Sequence, residues 1–163
     1  MEELTLLQEH IPKLLLAALI GGIIGIERGN RGGVIGFGTL STLTLGCTLL
    51  TIISAYAIGT DADPSRLIST IISSIGFIGG GVIFTQRNDN EKSVRGLTSA
   101  SIVFCLAAIG ISIGLGYYGI AIVTAILIEL NVFISRFIKK RRKENDEDYE
   151  SEFGTKPLGE FVR

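Results

Sequence analysis

Four uncharged stretches dominate the sequence and restrict what the chain can fold into. They run from Leu14 to Ile26, Gly32 to Thr60, Leu67 to Gln86 and Gly96 to Ile128. A helix that spans a bilayer needs about 20 mostly apolar residues. The last stretch contains 33 residues, which is too long for one span, and glycines interrupt it between Gly114 and Gly119. We therefore predict that it forms two helices.

The complete pattern predicts an all-α polytopic membrane protein with five transmembrane helices, at about residues 9–27, 36–58, 66–86, 97–115 and 118–139. The 21 glycines among 163 residues favour a compact bundle, because small residues let membrane helices approach closely. Pro12 suits the first turn of the first helix. Residues 1–143 form the predicted transmembrane domain. Residues 144–163 carry seven acidic and two basic side chains and are predicted to form a disordered cytoplasmic tail.

The basic residues predict an orientation for this bundle. Of the thirteen lysines and arginines in residues 1–143, eleven flank one side of the five helices. The other side holds only Lys13 and Arg66. Because cytoplasmic segments are enriched in basic residues, we expect the N-terminus outside and the C-terminus in the cytoplasm of a plasma (inner) membrane.

Residues that carry enzyme or metal chemistry are scarce. Cys47 and Cys105 both lie in apolar runs, and the lone histidine, His10, has no neighbouring ligand set. We therefore expect no enzymatic activity, no catalytic residue and no His/Cys metal site. No cofactor and no nucleic-acid partner are expected, although Mg²⁺ stays open as a ligand or a transported ion.

Three segments resemble the helix motifs of the MgtC/SapB family of inner-membrane proteins. Gly21–Arg28 resembles the first-helix motif, Asp63–Ile68 with Ile75–Ile83 the third, and Val94–Ala100 the fourth. The resemblance covers about residues 12–130 and implies a five-helix inner-membrane protein linked to magnesium limitation, virulence and survival in acid. It also implies either of two roles, since members are labelled magnesium transporters while several modulate other membrane proteins.

The chain departs from the family pattern at three positions. Gly38, before Thr39, stands where members usually carry an arginine, which puts in doubt any mechanism that needs that arginine. Thr70 replaces a common glutamine, and Phe104 replaces a common tryptophan. The chain resembles the short form of the family, without a C-terminal ACT-like domain, so regulation through that domain is not carried over.

Glycine pairs spaced four residues apart are the candidate packing sites: Gly21 and Gly25, Gly76 and Gly80, and Gly110 and Gly114. This spacing places both glycines of a pair on one helix face. It favours packing within one subunit, with a dimer interface or an unwound segment at Gly79–Gly81 as alternatives.

Small polar side chains line three predicted helices. They are Thr39, Ser41, Thr44, Thr48 and Thr51 on the second helix, Ser69 and Ser73 on the third, and Thr98, Ser101, Cys105 and Ser112 on the fourth. We interpret these faces as interhelical hydrogen-bonding surfaces. The alternative is a polar seam that lines a hydrated path.

Charged residues mark three further candidate sites. Glu27, Arg28 and Arg95 are predicted to cluster on the cytoplasmic side, as an ion pair or a binding vestibule. Glu129 lies within the fifth helix, where an ionisable residue is a functional candidate; it is either a cation or proton site or a hydrogen-bonded carboxyl group. Asp61 and Asp63 could contact Mg²⁺, but Asp63 before Pro64 also suits a helix cap.

Two functions follow from these observations. The first is a regulator of other membrane proteins that affects magnesium or ion homeostasis. The second is a small oligomeric transporter or channel for Mg²⁺ or another cation. Expected partners are the lipid bilayer, a second copy of the chain (a dimer is favoured) and another membrane protein.

Overall fold

The chain forms five α-helices in a computed structural model that describes residues 2–30, 32–33, 35–57, 63, 65–84 and 96–153. They are α1 (Glu2–Gly29), α2 (Phe37–Ile52), α3 (Ser65–Phe84), α4 (Leu97–Gly114) and α5 (Tyr118–Phe153). A π-helical turn, Ile53–Ala57, continues α2. The described residues contain no strand, and all five helices are long and apolar enough to cross a membrane. The predicted all-α fold with five spans is confirmed.

The first helix is longer than the sequence pattern predicts. It begins at Glu2 rather than near residue 9, so Pro12 lies inside the helix, and its predicted place in the first turn is wrong. The physical reason lies in residues 2–8, which contain mostly good helix formers and two glutamates that favour a helix N-terminus. These residues extend the helix beyond the apolar stretch that the prediction followed.

Contacts divide the chain into two compact units, residues 1–125 and residues 126–163. In the first unit α2 packs between α1 and α4, while α3 packs mainly on α4. The core of this unit combines aliphatic side chains with the hydroxyls of α2. Its fully buried larger side chains are Leu40, Thr44, Thr48, Thr51, Ser54, Val103, Leu106, Ile109 and Ile113.

Glycines allow α1 and α4 to approach α2 closely. A Cβ atom on Gly21 would lie 2.6 Å from the Leu40 carbonyl oxygen, and one on Gly25 would lie 2.7 Å from the Phe37 Cα. Further along α2, a Cβ on Gly110 of α4 would lie 2.6 Å from the Thr44 carbonyl oxygen. Real Cβ atoms do not tolerate such distances, so these helix crossings require glycine.

Helix α5 spans the division between the two units. Its start belongs to the first unit, where Ala121 is fully buried. The helix continues to Phe153, past the predicted end near residue 139 and through the first ten residues of the segment predicted to be disordered. No glycine or proline occurs from Ile120 to Phe153, so nothing in the sequence breaks the helix before Gly154. Residues 154–163 lie outside the described part of the chain.

Candidate functional site

The hydroxyl groups of α2 lie at the centre of the first unit and bond to backbone carbonyls. Thr44 donates to the Leu40 oxygen at 2.8 Å, and Thr51 donates to the Cys47 oxygen at 2.7 Å. The single hydroxyl proton of Thr48 lies within reach of two acceptors, the Thr44 oxygen at 3.0 Å and the Gly110 oxygen of α4 at 2.9 Å. These buried hydroxyls are therefore held by the protein itself.

Two further hydroxyl residues of α2, Ser41 and Thr39, have different surroundings. Ser41 donates to the Ala18 oxygen of α1 at 3.0 Å, so this side chain joins α1 to α2. Thr39 is exposed and lines a groove between α2 and α3.

The polar residues predicted on α4 do not meet those of α2. Thr98 and Ser101 are exposed, and Cys105 is half-buried. Ser101 donates to the Leu97 oxygen of its own helix at 3.0 Å. The buried hydroxyl of α4 is instead Ser99, which the sequence pattern did not single out. Among the described residues, these two predicted hydroxyl faces thus form no continuous polar seam.

Arg28 connects the end of α1 to the start of α4. Its Nη2 atom donates to the Ser99 Oγ at 2.6 Å, a short charge-assisted hydrogen bond. Glu27 is half-buried beside it in sequence. Arg95, the third member of the predicted cytoplasmic cluster, lies outside the described residues.

The predicted ion-binding carboxylates belong to different segments of the chain. The Asp63 Oδ1 accepts a hydrogen bond from the Ser65 backbone N–H at 2.9 Å, at the start of α3. Hydrogen bonds from Ser65, with a smaller contribution from the Arg66 charge, lower the pKa of the Asp63 carboxyl. Glu129 is half-buried on α5, in the second unit. Asp61 lies outside the described residues.

Clusters of ligands for a metal ion are also absent from the described part of the chain, where no three His, Cys, Asp or Glu side chains come together. Magnesium binds through one or two carboxylates and keeps several waters.

An open groove separates α2 from α3. Its volume is about 760 Å³, and its lining consists of Gly38, Thr39, Thr42, Leu43, Gly46, Cys47, Leu50, Leu67, Thr70, Ile71, Ser74, Ile75 and Ile78. A Cβ on Gly38 or Gly46 would meet no atom within 4 Å. The same holds for Gly76 and Gly80 of α3, so the third predicted glycine pair has no close partner in the described structure.

A polar cluster that the sequence analysis missed lies where α1 approaches the π-helical turn. Lys13 is only 4% exposed, and its Nζ lies 3.8 Å from the Glu9 carboxylate and 4.6 Å from the Tyr56 ring centroid. The His10 ring lies 5.1 Å from the same ring. The signal available in the sequence was the spacing of Glu9, His10 and Lys13 on one helix. No local pattern predicts that Tyr56 would reach them.

The His10 Nδ1 atom is buried and has no hydrogen-bond partner among the described residues. A buried polar atom without a partner costs about 1–3 kcal/mol. This cluster therefore contains a hydrogen-bonding atom that the described residues leave unsatisfied.

Comparison with known proteins identifies a family that the chain matches. The model of the MgtC family matches residues 14–141. The chain is 37% identical over 134 residues to the Escherichia coli K12 protein named "Putative magnesium transporter YhiD", which covers 77% of this chain and 60% of that protein. It is 33% identical over 124 residues to Protein MgtC of Brucella abortus, which covers 76% and 50%.

A third relative, Protein MgtC of Salmonella typhimurium, is 37% identical over 128 residues, which cover 78% of this chain and 53% of that protein. The chain thus spans only about half to three-fifths of the length of the relatives it matches. No solved structure matches the chain.

Proposed function

Because the chain belongs to the MgtC family, we propose that this multi-pass inner-membrane protein regulates another membrane protein in magnesium homeostasis. The regulation is exerted by helix contact: a transmembrane helix of the partner docks in the groove between α2 and α3.

The shape of the groove between α2 and α3 supports this proposal. Gly38, Thr42 and Gly46 recur every four residues along α2, the spacing that lets a second membrane helix approach closely. Among the described residues no atom lies within 4 Å of the positions that Cβ atoms on the two glycines would occupy. By contrast, helix packing inside the unit already occupies the space beside four other glycines, Gly21, Gly25, Gly110 and Gly114.

The hydroxyl groups of the groove also favour an apolar occupant. Thr70 and Ser74 donate to carbonyl oxygens of their own helix, Arg66 at 2.9 Å and Thr70 at 2.8 Å. These hydroxyls need neither water nor an ion, so a helix can cover them without leaving a polar group unpaired.

Magnesium transport by an oligomer is the second candidate function. The name of the Escherichia coli relative refers to magnesium transport, and Glu129 places a carboxyl group at membrane depth in α5. The buried hydroxyls of α2 weigh against a pathway through the first unit, because carbonyl groups of the protein already bind them.

Photo-crosslinking in native membranes tests the docking proposal. A benzoylphenylalanine at Ser74, inside the groove, is expected to form a covalent adduct with one membrane protein. Gly46→Leu fills the groove and should abolish the adduct. Gly119→Leu is the matched control, because Gly119 also has open space around its Cβ position but does not line the groove. Adducts with lipid alone, or an adduct that survives Gly46→Leu, would contradict the proposal.

The proposed orientation has the N-terminus outside and the C-terminus in the cytoplasm. It rests on the eleven basic residues that flank one side of the spans, against two on the other. A C-terminal reporter active only in the cytoplasm tests it, and a periplasmic signal would reverse every side assignment.

A further inference from the structure

The Lys13 ammonium group is poorly satisfied for a buried charge. Among the described residues, its contacts are the Tyr56 hydroxyl at 3.5 Å, the Glu9 carboxylate at 3.8 Å and the face of the Tyr56 ring. Charge-assisted hydrogen bonds are normally about 2.7–2.9 Å long. An ammonium carries three donors, so this group has capacity for a closer and better acceptor.

Two neighbouring groups can donate to the same acceptor. The Tyr56 hydroxyl oxygen accepts from Lys13, which leaves the Tyr56 hydroxyl proton available. The imidazole of His10 packs against the Tyr56 ring, and its Nδ1 has no partner among the described residues. Three possible donors of three residue types thus belong to this cluster.

The cluster is covered by a side chain that can move. The Glu9 side chain is 61% exposed, and Tyr56 is 51% exposed. Because the Glu9 carboxylate is exposed to solvent and lies 3.8 Å from the Lys13 Nζ, it binds the buried ammonium group only weakly. A soluble or membrane-bound anion can therefore replace the Glu9 carboxylate without moving a helix.

The position of the cluster fits the membrane interface. The apolar span of α1 begins at Leu7, and Lys13 follows it by about 9 Å along the helix axis, at 1.5 Å per residue. Phosphate groups lie at this boundary of a bilayer, and long basic side chains reach them.

We propose that His10, Lys13 and Tyr56 form a binding site for a phosphate group, from a phospholipid headgroup or from free phosphate. The phosphate oxygens displace Glu9, accept from Lys13 Nζ and the Tyr56 hydroxyl, and accept from the His10 ring. Phosphate suits this set because several oxygens on one centre can serve three donors at once. The site is separate from the groove between α2 and α3 and does not depend on the regulator proposal.

The lone histidine makes the site directly observable. His10 is the single histidine of the chain, so the imidazole ¹⁵N signals in a histidine-labelled sample report only this site. The full chain in maltoside micelles is titrated with inorganic phosphate at constant pH and ionic strength. It is then compared in nanodiscs of phosphatidylglycerol and of the phosphate-free lipid digalactosyldiacylglycerol.

The phosphate titration and the nanodisc comparison distinguish free phosphate from a phospholipid headgroup as the ligand. A saturating shift on phosphate titration identifies free phosphate as a ligand. A shift in phosphatidylglycerol but not in the galactolipid, without a response to inorganic phosphate, identifies the lipid headgroup. Unchanged imidazole signals under all of these conditions would overturn the proposal.

Substitutions with opposite expected signs distinguish a binding site from a structural contact. Lys13→Gln should weaken phosphate binding about tenfold or more. Glu9→Gln removes the competing carboxylate and should tighten binding about two- to fivefold. Tyr56→Phe keeps the ring and should weaken binding less than Lys13→Gln. This variant carries the test if Lys13→Gln fails to fold.

The matched control is Arg66→Gln, which removes an exposed basic residue outside the cluster and should leave binding unchanged. If Arg66→Gln weakened phosphate binding as much as Lys13→Gln, the effect would be a general attraction between charges rather than binding at this site. Weakening by Glu9→Gln would show that Glu9 supports the site rather than competes for it. Either result contradicts the proposal.

Discussion

Gly110 faces the backbone of α2 so closely that no other residue fits without a shift. A Cβ there would lie 2.6 Å from the Thr44 carbonyl oxygen and 2.9 Å from the Cys47 Cβ. The close approach also brings the Gly110 oxygen within hydrogen-bonding distance of Thr48. One glycine therefore sets both the distance between α2 and α4 and the hydrogen bond between them.

We predict that Gly110→Ala lowers the free energy of unfolding by about 1–3 kcal/mol, because the methyl group overpacks the α2–α4 crossing. Gly80→Ala is the control, since its Cβ meets nothing within 4 Å. It should be neutral or stabilise by up to about 1 kcal/mol, as alanine is the better helix former. Denaturation in mixed detergent micelles measures both changes. Equal losses for the two variants would contradict this account of the glycines.

The Asp63 carboxylate is predicted to hold the start of α3 in a pH-dependent way. Its pKa is lowered in the folded chain from the ordinary value of 3.8, so its contribution to stability is present above that value. The contribution is lost as the pH falls below 3.8 and through the folded pKa.

The Ser65 amide proton, which Asp63 binds, reports this titration by NMR. Its chemical shift should move with a midpoint below 3.8, and Asp63→Asn should remove that movement. A midpoint at or above the ordinary value would show that the hydrogen bond does not favour the carboxylate.

At the residue scale, the sequence indicates which side chains share a helix face, but it does not indicate which residues that face contacts. The spacing of Thr44 and Thr48 places them on one helix face, and both side chains are buried. The same spacing rule grouped Thr98 with Ser101, which are exposed, because periodicity identifies a face but not its neighbour. The cluster of His10 and Lys13 with Tyr56 has no local sequence pattern, because Tyr56 lies 43 residues beyond Lys13 in the chain.

Helices α1 and α4 meet through a polar contact at the end of α1 and the start of α4. Arg28 and Ser99 are 71 residues apart in sequence, and Ser99 is buried. A guanidinium that bonds a buried hydroxyl fixes how far one helix can slide along the other.

A double-mutant cycle on Arg28→Met and Ser99→Ala should give a coupling energy of about 1–3 kcal/mol, the range for hydrogen bonds to charged groups. The cycle of Arg28→Met with Ser101→Ala is the control, because the Ser101 hydroxyl bonds within its own helix. Its coupling should be near zero. Denaturation curves of the four variants in each cycle supply the energies, and equal couplings in the two cycles would refute the contact.

Helix number and most helix ends followed from the sequence, whereas the start of α1 and the end of α5 did not. Charged residues separate the apolar runs clearly enough to place five spans. They do not limit a helix that continues outside the apolar run, and for that reason α1 begins at Glu2 and α5 ends at Phe153. A π-helical turn after α2 also has no signature in the sequence pattern.

The first unit, residues 1–125, distributes its small residues unequally. Packing around α2 occupies the space beside four glycines, Gly21, Gly25, Gly110 and Gly114. The space beside Gly38 and Gly46, which line the groove, is open among the described residues. Four-residue spacing in the sequence cannot make this separation, because Gly76 and Gly80 share that spacing with the packed pairs and yet meet no atom within 4 Å among the described residues. The packed glycines hold the unit together, and the open glycines of α2 line the groove in which we propose that a partner helix docks.

The most direct test of the central claim is Mg²⁺ flux into liposomes that contain the purified full chain. The account predicts flux no greater than that of protein-free liposomes under an inward Mg²⁺ gradient, because the buried hydroxyls of α2 bind carbonyl groups of the protein. Glu129→Gln should then change nothing. Saturable Mg²⁺ uptake that Glu129→Gln abolishes would contradict the account and establish transport.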